Sequence, residues 1–474
     1  MQTIPKSQVL RRIRVENPWW EPPHQIIPEY RGYRARAYLD LFYPLVESTD
    51  VRRAAVLMGP RRVGKTVMLH HAIGRLIDSG VPPRRICYLS VDHPIYNGLR
   101  LDELADYCAQ ASGVDLGVET AYIFFDEIQY LRNWEVHLKA LVDERSQLKC
   151  TASGSAAAAL RFRSSESGAG RFTDFLLPPL TFHEYLLLLD KLDIITHPDP
   201  RHGDDCFGCT DIDFLNSSFI DYLNFGGYPE AVLSPTIRAD PQRYIKSDIV
   251  DKVLLRDLPG LYGISDIQEL NYLFTTLAFN TAQEISLEEL SKNSGVAKNT
   301  IKRYIEYLEA AFLIRIVHRI DRNARRFKRA NFFKVYLTNP SIRSALFAPV
   351  GPDDEAMGQL TETAVLSQWF HFPGAMHYAR WKGGEVDIVH LNSGGVAWAV
   401  EVKWSDRYVQ RPDDLKSLIS FCRANHLPSA RVTSRSRFGT AIRSGVHLEF
   451  VPASLYCYGV GHNIVEHRRR REGL

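Results

Sequence analysis

The chain has 474 residues, 45% hydrophobic and 24% charged, with a formal net charge of +3. That is ordinary for a soluble globular protein long enough for two or three domains. Nowhere do about eighteen apolar residues run together, which argues against a membrane span, and the N-terminus (MQTIPKSQVLRRIRVENPWW) lacks the apolar core of a signal peptide. Seven cysteines, odd and sparse, argue against a disulfide scaffold and for a reducing cytoplasm.

In chain order, residues 1–50 read as a helical lead-in, with helical periodicity over Arg36–Ser48. Its arginines and aromatic residues either touch a nucleotide base or simply pack. Strand–loop–helix repeats follow over 51–180. Apolar Ala54–Met58 runs into Gly59-Pro60-Arg61-Arg62-Val63-Gly64-Lys65-Thr66 and then, from Val67, into a helical pattern, the context of a Walker A phosphate loop. Gly59 and Gly64 let the backbone curl with its N–H groups inward, and the helix N-terminus adds a positive dipole end. Lys65 is expected to reach the β- and γ-phosphates and Thr66 to sit on Mg²⁺, so Gly59 to Val67 form the expected nucleotide contact.

Ile86–Asp92 reads as the second strand and Tyr122–Phe125 as the third. Asp126 and Glu127 follow at its C-terminal end, where open α/β sheets bind ligands. Asp126 is the expected Mg²⁺ partner and Glu127 the base that orients water; otherwise the pair only caps the next helix. Leu148–Ser155 is the fourth strand. Ser153 at its end is a nucleotide sensor or part of a plain turn. Arg171, in a Ser- and Gly-rich loop, is an arginine finger or a solvated side chain. Alternating strands and helices imply a parallel α/β layer.

Residues 181–278 are mostly helical in pattern. Within them, Cys206 and Cys209 form a CxxC near His197 and His202, which suits zinc or a hydrophilic insertion. Residues 279–335 read as a winged helix-turn-helix. Leu287 and Leu290 fall in the first helix, Ser294–Val296 in the turn and Ala297–Glu309 in the second helix. Lys298, Asn299, Lys302 and Arg303 face outward there, and a basic run from Arg315 to Arg329 forms a wing. This module contacts DNA or serves as a lid or protein contact. In residues 336–474, Glu362 lies on a helix, Asp387 on a strand, and Glu401 and Lys403 two apart on the next strand. Carboxylates with a lysine on neighbouring strands can hold Mg²⁺ and activate water against a phosphodiester; Lys403 assists the nucleophile or stabilises the pentavalent charge, and Glu362, Asp387 and Glu401 are the expected metal ligands. The alternative is a fold of this kind that only binds.

Taken together, GPRRVGKT, FFDEIQYLRNW, SGS, GRF, FGGYPEAV, LTETAV and GGEVDIV…AVEVKW make the chain resemble a prokaryotic family of AAA-type P-loop ATPases. Its members carry a C-terminal domain of unknown function related to PD-(D/E)XK nucleases. The resemblance implies ATP and Mg²⁺ as cofactors, Lys65 and Thr66 on phosphate and Mg²⁺, and Asp126 and Glu127 as the Walker B pair. It also implies Gln129 placing water or relaying the nucleotide state, Arg171 in the family's GR, and Glu362, Asp387, Glu401 and Lys403 in the nuclease-like positions. Ser153 stands where the family usually has Thr. The expected protein is a cytoplasmic ATPase driving a nucleic-acid-acting module, DNA its plausible partner, with a homo-oligomer possible and no membrane contact; the alternative is a slow ATPase acting as a signalling or scaffolding switch.

Overall fold

The computed structural model describes residues 5–116, 118–155, 170–196, 207–264, 266–327, 331–372 and 374–472. Two compact units divide the chain: one runs to Leu177 and includes the residues from Arg468, the other spans Pro178–His467.

The first unit is built on runs of buried apolar residues. β1 (Ala54–Met58), β2 (Ile86–Ser90), β3 (Ala121–Asp126), β4 (Leu148–Gly154) and β5 (Phe172–Leu176) form an all-parallel sheet in the order β2-β3-β4-β1-β5. Every residue of β1, β3 and β4 is buried, as in strands covered on both faces. This is the expected P-loop layer, and it sets the C-terminal ends of β1 and β3 side by side with β4 between them.

The N-terminal segment does more than lead in. Helix α1 (Lys6–Glu16) ends at Asn17, whose side chain acts as a strand mimic against the outer strand β2. Asn17 Nδ2 donates to Tyr88 O at 2.9 Å and its Oδ1 accepts from Tyr88 N at 2.6 Å. Trp19 and Trp20 Nε1 both donate to Ile86 O, at 3.0 and 2.8 Å. Thus the open ladder of an edge strand is closed by side chains. Asn17→Ala leaves a buried N–H and C=O of Tyr88 without partners and is expected to destabilise the first unit by about 2–3 kcal/mol, read as a lower denaturant midpoint.

Two cysteines depart from expectation: Cys87 on β2 and Cys108 are joined by a disulfide. Both lie where β2 meets the helix Leu101–Ser112, a proximity that sequence separation does not reveal. Cys150, Cys209, Cys422 and Cys457 are free thiols. Of the zinc candidates, Cys206, His197 and His202 lie outside the described residues. Cys209 sits on β7 (Gly208–Cys209), which pairs with β6 (Ile195–Thr196). Among the described residues no helix is long and apolar enough to cross a membrane.

In the second unit, helices over Phe182–Phe279, two with π geometry between Gln242 and Asp257, precede a nine-stranded sheet. β8 (Glu284–Ser286), helix α2 (Leu287–Ser294), helix α3 (Lys298–Ala310), β9 (Ile314–Ile320) and β10 (Phe332–Leu337) follow in that order, β10 pairing antiparallel with both β8 and β9. Ser286 caps α2 through Glu289 N, Gly295 ends it at φ 73°, and Ile301, Ile305 and Leu308 are the buried face of α3.

The sheet does not stop there. β9 also pairs in parallel with β11 (Met376–Trp381), which continues antiparallel to β12 (Gly384–Asn392) and β13 (Gly395–Glu401). β14 (Ser429–Ser434), β15 (Gly439–Arg443) and β16 (Val446–Pro452) complete it. Residues on both sides of position 335 therefore share one hydrogen-bonded sheet.

Candidate active sites

In the first unit, Gly64 takes a left-handed conformation (φ 96°) and Arg62 another (φ 62°), curling the loop into the N-terminus of the helix Lys65–Asp78. Gly59 has no room for a side chain, since a Cβ would stand 2.4 Å from Leu177 O. Lys65 is buried, its Nζ donating to Gly59 O at 3.0 Å and Pro60 O at 2.9 Å. Arg36 is buried and its Nη1 donates to Val63 O at 2.7 Å, so the lead-in supports the loop. Gly59→Ala is expected to raise the Kd for ATP at least tenfold, about 1.4 kcal/mol or more, read by titration with a fluorescent ATP analogue.

Across from the loop, Asp126 ends β3 with its carboxylate shared by three hydroxyls. Oδ2 accepts from Thr66 Oγ1 at 2.7 Å and from Tyr88 OH at 2.7 Å, and Oδ1 accepts from Ser153 Oγ. Ser153 is thus part of the network rather than a plain turn; its Oγ also accepts from Glu127 N at 3.3 Å. Glu127 is held at φ 57°, an uncommon conformation for such a residue that marks a constrained position. Its carboxylate accepts from Gln129 Nε2, while Gln129 Oε1 accepts from Ser155 N at 3.2 Å. Burial raises the Glu127 pKa against the opposing pull of Lys65, and the Asp126 charge adds to the rise. Tyr88 was not legible: nothing in the spacing of ICYLSVD says that its hydroxyl reaches the end of the neighbouring strand.

Arg171 is not at this site within its own chain. It lies just before β5, where its carbonyl accepts from Ala54 N at the start of β1, and its guanidinium pairs with Asp143. In a parallel sheet that is the end opposite the phosphate loop, about 13 Å or more along β1. An adjacent GR in the sequence could not reveal this, because the strand register decides it.

The donor set fits a nucleoside triphosphate with Mg²⁺. A curled loop at a helix N-terminus, a buried ammonium, and a hydroxyl–carboxylate pair from separate elements are the groups that such a ligand requires.

The second unit gathers its own constellation. Glu362 lies on helix α4 (Met357–Gln368), Asp387 on β12, Glu401 ends β13, and Lys403 falls two residues beyond that strand's end. Lys403 Nζ pairs with Glu401 Oε1 at 2.8 Å and Asp387 Oδ2 at 3.4 Å, and Val402 N donates to Asp387 Oδ2 at 2.8 Å. Glu401 Oε2 is buried without a partner. Three further residues belong to the group. Lys334 on β10 is 3% exposed and its Nζ pairs with Glu362 Oε1 at 2.8 Å and Glu385 Oε1 at 2.7 Å, with Asp387 Oδ1 at 3.9 Å. Tyr336 OH also donates to Glu362 Oε1, at 2.6 Å. Alternation along β10 and β12 carries the signal, since Lys334/Tyr336 and Glu385/Asp387 are each two apart in a strand.

The expected metal set of Glu362, Asp387 and Glu401 needs correction. Among the described residues no three His, Cys, Asp or Glu side chains are arranged to hold a metal ion. Physically, the Lys334 ammonium and Tyr336 hydroxyl already occupy Glu362 Oε1, and the Lys403 ammonium pairs with Asp387 and Glu401, so lysines stand where a metal ion would. Of the expected wing, Lys328 and Arg329 lie outside the described residues. Arg315 stacks on Phe370, and Arg319 donates to Arg380 O at 3.1 Å and pairs with Glu284 at 3.5 Å.

Comparison with known proteins places families on both units. Residues 51–186 match the AAA domain family, and residues 216–353 match a domain of unknown function, DUF8612. An uncharacterised protein of Methanocaldococcus jannaschii is 24% identical over 73% of this chain and 74% of its own length. Another, from Haemophilus influenzae, is 24% identical over 63% of this chain and 70% of its own. Among solved structures, the Aeropyrum pernix ORC1 protein in complex with DNA aligns over 69% of this chain and 95% of its own, at 12% identity and TM-score 0.31. The S. cerevisiae Hsp104–ADP complex aligns over 64% and 40%, at 14% identity and TM-score 0.29. The first unit thus carries an AAA-type P-loop domain.

Proposed function

We propose that the chain hydrolyses ATP in its first unit and uses the nucleotide state to control a nucleic-acid-acting second unit. The observation that carries the ATPase reading is the 2.7 Å bond between Thr66 and Asp126, with buried Glu127 next to it. When bound, Mg²⁺ supplies charge neutralisation at the phosphates, and Thr66 and Asp126 would hold it. Lys65 exchanges the carbonyls of Gly59 and Pro60 for phosphate oxygens. Glu127, made more basic by burial, accepts a proton from the attacking water, and Gln129 fixes its orientation. Ser153 and Tyr88 fix the orientation of the Asp126 carboxylate through their hydroxyls. A finger role for Arg171 would require a neighbouring copy of the chain.

For the second unit, the helix–turn–helix with its β-hairpin supports the winged-helix reading, and Asp387, Glu401 and Lys403 support a PD-(D/E)XK-like core. Mg²⁺-dependent ATP hydrolysis, measured with and without single- and double-stranded DNA, tests the coupling: stimulation supports it, and indifference to DNA overturns it. Conversion of supercoiled to nicked DNA tests cleavage, and should be lost in Asp387→Ala and Lys403→Ala.

A second reading, a slow ATPase switch whose second unit only binds, is favoured by the ammonium of Lys334 standing among the carboxylates. Under it, wild type leaves DNA intact.

A further inference from the structure

Away from both sites, the second unit has an open cleft of about 640 Å³. Arg322 reaches it from the β9–β10 connection, Lys416, Ser420 and Arg423 from helix α5 (Lys416–Ala424), and Arg443 from the end of β15. Lys416, Ser420 and Arg423 are four and three residues apart and share one face of that helix. Its opposite face, Leu418, Phe421 and Cys422, is buried in the core under the sheet.

The charges are unbalanced. Asp413 at the rim is taken by Arg443 Nε at 2.9 Å. Among the described residues Arg322, Lys416 and Arg423 form no ion pair. The outward cations of α3 differ: Lys298 pairs with Glu288 at 2.9 Å and Lys302 with Glu306 at 3.9 Å. A concave wall of one sign focuses the field on an anionic ligand. Among the described residues no aromatic side chain lines the cleft, so they offer no platform for stacking bases. The inner face of α5 packs in one cluster with Val386 and Val389 of β12 and Ala399 of β13, the strands that carry Asp387 and Glu401. The cleft is therefore separated from those strands by one helix, about 10 Å across.

We propose that this cleft binds the phosphodiester backbone of a nucleic acid, without reading its sequence, beside the Asp387–Glu401 site. The inference rests on the nucleic-acid reading of the second unit and deepens it. An acidic protein segment would be the competing occupant.

The test uses the full chain and a labelled random-sequence DNA duplex, with anisotropy measured across a salt series. Lys416→Glu/Arg423→Glu is expected to weaken binding at least tenfold. Lys416→Ala/Arg423→Ala is expected to lower the slope of log Kobs against log salt by about 2. Lys298→Ala/Lys302→Ala is expected to change binding less. The urea unfolding midpoint of the second unit should stay at the wild-type value in both cleft variants, which separates lost binding from misfolding. Wild-type affinity and slope in both cleft variants would overturn the cleft while leaving the nucleic-acid reading intact. A wild-type chain that binds no DNA would overturn that reading with it, as would binding of polyglutamate in preference to DNA at the same residues.

Discussion

Replacing Glu127 by Gln is expected to slow ATP hydrolysis by about 10²- to 10³-fold while changing the Kd for ATP by no more than about threefold. The amide keeps the size and the contact with Gln129 but cannot accept the proton of the attacking water. Burial is what makes the native carboxyl suited to the step, because a group pushed upward in pKa is a better base once ionised. Lys65→Ala should behave differently and lose affinity itself, since Lys65 is the buried ammonium of the loop. Single-turnover hydrolysis and equilibrium ATP binding, measured on both variants, separate the two roles. A Glu127→Gln chain that hydrolyses at the wild-type rate would remove Glu127 from the mechanism.

Lys334→Met is expected to destabilise the second unit by about 3–5 kcal/mol, because it leaves the buried Glu362 without its cation, whereas the half-buried Glu385 keeps Arg380 at 3.1 Å. Adding Glu362→Gln should recover a large part of that loss. The same site predicts a pH dependence. Burial pushes Glu362 up to about 7, against the pull of Lys334, and burial with the Asp387 charge pushes Glu401 up to about 8. Both start from 4.5, so between that value and their folded pKa values the folded chain binds more protons than the unfolded one. Their contribution is complete below pH 4.5 and is lost as pH rises through about 7 and 8. Urea unfolding in EDTA across this range should show the second unit weakening toward alkaline pH. Glu401→Gln should flatten that slope; an unaltered slope would exclude Glu401 as its source.

Much of the first unit was legible because its signals are local. The apolar run Ala54–Met58, the loop to Thr66, and Tyr122–Glu127 each declare a strand end within a dozen residues, and β1 and β3 form where those runs stand. What escaped depends on pairing between distant segments. Asn17 meets Tyr88 across 71 residues, Thr66 and Tyr88 converge on one carboxylate, and Arg171 is carried to the wrong end of the sheet by its register with Ala54. In the second unit Glu362, Asp387, Glu401 and Lys403 were readable as a pattern. Lys334 was hidden by assigning it to a separate module, and with it the reason that Glu362 leaves the metal set.

The parallel pairing of β9 with β11 limits how this protein can move. A ladder running from the β9–β10 hairpin into the strand bearing Asp387 leaves no seam at which the one could swivel against the other. The match to DUF8612 ends at residue 353, with β11 to β16 still to come, so a fragment cut there would expose the bare flank of β9. The sensible piece of this chain to express, crystallise or transplant is the whole sheet with the helices that cover it, and a signal reaching it would displace it as one plate.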